Sequence, residues 1–150
     1  MIPSNSIQTR PVSASDSLIS GLINGIVAGV GMLLFLLLAG MLEGTPPAAV
    51  LERFLIPSQS PNPVSSIFLH LGVSAVYGGI FGILLRWLPP SIKRSPLKLL
   101  AGLAYGLLLY LLASTVLLPG TNSPLAEIHA LTFSSAHLVY GALLGALTRA

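Results

Sequence analysis

Four stretches of this chain carry no Asp, Glu, Lys or Arg and are each long enough to cross a bilayer: residues 17 to 42, 64 to 85, 99 to 118 and 128 to 148. A helix rising 1.5 Å per residue needs about 20 residues to traverse a hydrocarbon core of roughly 30 Å. Within that core every backbone N–H and C=O must find a partner inside the protein, so only helices and closed barrels can span it. The stretches lack the period-two alternation of a barrel strand. The sequence therefore predicts an all-α polytopic membrane protein, a compact bundle of four transmembrane helices over about 18–42, 64–88, 97–118 and 125–148.

Composition removes the soluble alternative. Only 7% of the 150 residues are charged, against roughly 25% in a soluble domain, which leaves too few polar residues to clothe four buried helices. The absence of cysteine excludes disulfides, thiolate and iron–sulfur chemistry and covalent c-type haem. The net charge of +3 is not gathered into a basic cluster interleaved with aromatics, so no nucleic-acid partner is indicated. Residues 1–17, rich in Ser with Pro3, Arg10, Pro11 and Asp16, read as a flexible cytoplasmic tail ahead of a single transmembrane domain over 18–150. The apolar run from Leu18 to Leu42 is too long for the core of a cleaved signal peptide.

The flanking charges set an orientation. Arg10, Arg86, Lys93, Arg94, Lys98 and Arg149 fall on the side that holds both termini and the middle loop, and only Arg53 falls on the other. Positive residues stay on the cytoplasmic side, so both termini are expected in the cytoplasm of a bacterial inner membrane. Trp87, beside Arg86, has the character of an interfacial anchor. On the outer side, residues 48–56 are too short to cross and suit a short helix lying on the membrane surface or covering the bundle mouth.

Two kinds of internal pattern follow. Val76, Tyr77, Gly78, Gly82 and Arg86 match Val139, Tyr140, Gly141, Gly145 and Arg149 in order, while spans one and three share a looser Ala28-Gly29 and Ala101-Gly102 likeness. A parallel duplication of a two-helix hairpin is the reading. Glycines also recur at four-residue spacing: Gly21, Gly25 and Gly29; Gly78 and Gly82; Gly102 and Gly106; Gly141 and Gly145. Such ladders let helix backbones approach closely, where lipid supplies no hydrophobic drive for association.

The polar residues within the spans are the candidates for function. His70 and His129, on spans two and four and at similar expected depth, pair as ligands to haem or as contacts to a quinone or chlorin, with His137 nearer the bilayer middle as the substitute. The plainer reading gives Ser74, Tyr77, Ser134 and Tyr140, with His137, a register-fixing polar network, and makes Asn24 interhelical glue. No metal cluster, catalytic triad, phosphate loop or paired catalytic carboxylates can be assembled.

The segment Ala136-His137-Leu138-Val139-Tyr140-Gly141, followed by Gly145, resembles a pattern in small uncharacterised four-helix bacterial inner-membrane proteins. The resemblance implies architecture and brings no enzymatic activity. The functional reading from sequence is a structural or accessory subunit of a larger membrane complex, in contact with lipid and other integral membrane subunits. Its rivals are a haem-, quinone- or chlorin-binding redox module and a small transporter.

Overall fold

The computed structural model describes residues 13–55, 62–93 and 96–148. The element order is α1 (Ala14–Leu42), a short α2 (Pro47–Glu52), α3 (Pro63–Trp87), α4 (Leu97–Leu112) and α5 (Ala130–Leu147). The last turn of α4 continues as a π-helical turn, Ala113–Leu117, and a 3-10 turn, Pro124–Glu127, precedes α5. The four long helices form an all-α bundle, and each is long and apolar enough to cross a membrane.

Local chemistry sets the helix ends. Ser13 and Asp16 form a reciprocal capping box, the Ser13 hydroxyl accepting from the Asp16 amide and the Asp16 carboxylate from the Ser13 amide. That cap starts α1 at Ala14, so residues 14 to 17, assigned from sequence to the tail, belong to the helix. The rest of the tail assignment, over residues 1–12, lies outside the described residues, as do Ile56, Arg94 and Arg149. At the other end of α1, Gly44 takes a φ of +78°, and the Thr45 amide reaches back to the Gly40 carbonyl at 2.8 Å. The pair closes a Schellman-type stop that needs a residue without a Cβ penalty. Asn62 caps α3 with Pro63 at its first position.

α5 starts later than the sequence suggests, at Ala130 rather than 125. Pro124 opens a separate 3-10 turn, and His129 is the N-cap of α5, its Nδ1 accepting from the Leu131 amide at 3.3 Å. A side-chain acceptor at that point ends the preceding turn and opens the helix.

Packing follows the glycines. α1 lies antiparallel to α3 and α4 antiparallel to α5, with α1 also packed on α5. A Cβ on Gly21 would strike the Gly78 carbonyl, and one on Gly78 would strike Gly21 and Gly25. The second hairpin repeats this: Gly102 faces the Gly141 carbonyl, while Gly141 faces Gly102 and Gly106. Gly82 sits against Ser17 and Gly145 against Lys98 in the same corresponding way. The two interfaces are thus copies, with Gly21 and Gly25 equivalent to Gly102 and Gly106. This corrects the sequence register, which paired Gly29 with Gly102; the loose Leu-rich match could not distinguish two turns of helix, whereas backbone contact does.

α3 and α4 are splayed apart along much of their length, meeting at the Phe81 and Tyr105 rings, 5.1 Å apart. At one end of this gap, α2 and the residues after it fold over the end of the bundle away from the described N-terminus of α1, burying Val50 against Gly40 and placing the Phe54 ring 4.6 Å from the His70 ring. The 48–56 segment therefore covers the bundle mouth across its described residues.

Candidate functional site

The gap between α3 and α4 encloses a cavity of about 280 Å³. Leu69, Val73 and Tyr77 line it from α3, Leu109 and Ala113 from α4 and its π-helical turn, and Phe133, His137 and Tyr140 from α5. Phe54 and His70 close one end of it, and Met32 of α1 forms part of the back wall. Val73 and Leu117 on its rim are 46% and 50% exposed, so the cavity opens sideways between the helices, toward the hydrocarbon of the bilayer. The π-helical turn at this rim is a distortion found disproportionately at functional sites.

His70 and His137 each lie seven residues past the first residue of their helix, at Pro63 and Ala130. In the folded chain His70 and His137 share the cavity, and His129 stays outside it as a helix cap.

Each imidazole is held by a backbone carbonyl. His70 Nε2 lies 3.0 Å from the Gly29 carbonyl of α1, and His137 Nδ1 lies 2.9 Å from the Phe133 carbonyl one turn earlier in its own helix. A carbonyl oxygen only accepts, so each of these nitrogens carries the proton and donates. The other nitrogen of each neutral ring is then a bare acceptor. Aromatic neighbours fix the ring planes: Phe54 tilts against His70, and Phe133 meets His137 edge-on at 4.5 Å, with Tyr110 beyond it at 6.1 Å.

The floor of the cavity is crossed by two hydrogen bonds into α3. Tyr140 of α5 donates to the Ser74 carbonyl at 2.6 Å, and Tyr105 of α4 donates to the Tyr77 carbonyl at 2.8 Å. Both bonds use the backbone carbonyls of Ser74 and Tyr77 rather than their side-chain hydroxyls. Ser134 stands apart, donating to Leu131 in its own helix. Asn24 is corrected: its amide donates to Ser20 one turn back at 3.2 Å, within α1, because the Gly21 and Gly25 face of that helix is the one turned to α3. Sequence reasoning did not single out Phe54 or Phe133. Their ring contacts, Phe54 with His70 and Phe133 with Tyr110, join segments distant in the chain.

Among the described residues Arg86, Lys93 and Lys98 lie at one end of the bundle and Arg53 at the other. Trp87 is 76% exposed at the end of α3. Lys98 has a further task, its ammonium donating to the Thr148 carbonyl at 2.7 Å and to the Ala146 carbonyl at 3.4 Å, the C-terminal end of α5. Among the described residues no three His, Cys, Asp or Glu side chains gather to hold a metal.

Fold and cavity together define a small multi-pass helical membrane protein with a laterally open, mostly apolar crevice. The chain belongs to DUF6789, a family of unknown function whose sequence profile matches residues 15–150. No curated protein matches the chain, and no solved structure does.

Proposed function

We propose that the protein is an accessory subunit of a bacterial cytoplasmic membrane, both termini in the cytoplasm, that holds a lipid-soluble molecule of single-ring size in the crevice between α3 and α4. The observation that carries this reading is the pair His70 and His137, each locked in one tautomer by a backbone carbonyl and each lining the same apolar cavity. Ligand sites commonly combine apolar walls with a few convergent polar groups. A volume of about 280 Å³ lies at the small end of the roughly 300–1,000 Å³ usual for such sites. Of the groups considered from sequence, it suits the head of a quinone-type molecule better than a haem or chlorin macrocycle. The short connections between the helices favour binding and hand-over to neighbouring membrane proteins over independent catalysis.

Extraction into native lipid nanodiscs, followed by mass spectrometry of the bound small molecules, tests this reading. The expected result is a lipid-soluble aromatic molecule near one per chain in the wild type, lost in Val73→Trp, which fills the rim from an exposed position. Identical small-molecule content in the two proteins would contradict the proposal and leave a packing role alone.

A further inference from the structure

The polarity of the two imidazoles narrows the ligand, given that the crevice is a binding site as proposed above. Both protons point away from a ligand, toward the Gly29 and Phe133 carbonyls. What remains is Nδ1 of His70 and Nε2 of His137, two acceptors. Both residues are among those that line the cavity. No carboxylate, lysine or arginine lines the cavity. An imidazolium there would lack a counter-charge in an apolar surrounding, which is costly, so the rings hold their neutral form. The Tyr140 hydroxyl on the cavity lining is already committed to the Ser74 carbonyl, and the other lining hydroxyls, on Ser74 and Tyr77, can accept as well as donate, so the histidines set the bias.

We propose that the crevice selects lipophilic molecules whose head group donates a hydrogen bond, an alkylated phenol or quinol rather than the corresponding quinone or ether, because the two cavity histidines present only acceptor nitrogens. A hydroxyl head satisfies a bare nitrogen directly. A carbonyl or ether head places lone pair against lone pair and leaves the nitrogen unsatisfied. The duplication accounts for the arrangement. The shift that carries Tyr77 onto Tyr140 carries His70 onto Phe133 and Ser74 onto His137, so each repeat contributes one histidine from a different turn, and the acceptors are a feature of the joined repeats.

The test uses the full chain in lipid nanodiscs and two probes of nearly equal size, 4-decylphenol and its methyl ether 4-decylanisole, with binding measured by calorimetry against empty nanodiscs. One neutral hydrogen bond corresponds to a preference of up to roughly ten-fold for the phenol. The double variant His70→Phe/His137→Phe, which keeps planar rings and removes both acceptors, is expected to bind phenol and ether equally. Retained ether binding in that variant reports an intact cavity. Equal binding of the two probes by the wild type, or an unchanged phenol preference in the double variant, would overturn the assignment of a donor head group while leaving the crevice a binding site. Failure of both probes to bind beyond empty nanodiscs would overturn the binding reading itself.

Discussion

The Tyr140 hydroxyl on α5 donates to the Ser74 carbonyl on α3 at 2.6 Å, tying together two helices that belong to different hairpins. With the Tyr105 bond to the Tyr77 carbonyl, it spans the side of the bundle where α3 and α4 leave a gap. Close backbone contact holds each hairpin together. Across the cavity, by contrast, α3 is joined to α4 and α5 by these two hydrogen bonds and by side-chain packing such as the Phe81 and Tyr105 rings, 5.1 Å apart.

Tyr140→Phe removes that hydroxyl and keeps the ring, which is 2% exposed. Interhelical hydrogen bonds in membranes average about 0.6 kcal/mol and reach about 1.7. A fall of a few degrees in the thermal midpoint in detergent is expected, with Tyr105→Phe falling similarly. An unchanged midpoint in both variants would mean that the two bonds do not hold the floor.

Gly78→Ala places a methyl group against the Gly21 carbonyl and the Gly25 backbone, neither of which can move aside as a side-chain end could. Overpacking of this kind costs roughly 1–3 kcal/mol, and Gly141→Ala is expected to match it because its surroundings are the equivalent ones. Gly78→Leu and Gly141→Leu should disrupt packing further. Gly72→Ala is the control: nothing lies within 4 Å of its added Cβ, and replacing a helical glycine by alanine gains about 0.5–1 kcal/mol. Thermal unfolding of the set should separate Gly72→Ala from the others in sign.

Lys98→Met removes the ammonium from the C-terminal carbonyls of α5 and retains an apolar stem. A cation at a helix C-terminus contributes roughly 0.3–1 kcal/mol, so the expected effect is local: faster amide exchange over the last turn of α5, with little change at its N-terminal end. Uniform protection in variant and wild type would show that the contact does not hold the helix end.

The charge asymmetry gives a direct topological prediction. The chain has no cysteine, so single substitutions report their own side of the membrane. Asn122→Cys in the outer turn should react with a membrane-impermeant maleimide on intact cells, and Ser91→Cys in the middle loop only after permeabilisation. The reverse pattern would invert the orientation.

The helices were legible in the sequence because exclusion of charge over some 20 residues is a property of each segment alone. The glycine ladders likewise announced the packing faces, since backbone proximity tolerates little but glycine. Where sequence reasoning failed, the missing information was relational or local. His129 read as a buried ligand because the charge-free stretch around it ran on, although Pro124 and the cap chemistry of His129 open α5 only at Ala130. Asn24 read as glue because a polar residue in a span asks for a partner, and Ser20 one turn away supplied it. The pairing of His70 with His137 depends on which helices splay apart, and no single segment encodes a gap between α3 and α4.

The most direct test is photocrosslinking in lipid nanodiscs with a diazirine-bearing decylphenol, mapped by peptide mass spectrometry. The account predicts adducts concentrated on residues 69–77 of α3 and 109–117 at the end of α4, removed by excess unlabelled 4-decylphenol. Adducts spread over the exposed outer face of α1, around Ile19 and Ile23, and insensitive to that competitor would contradict it.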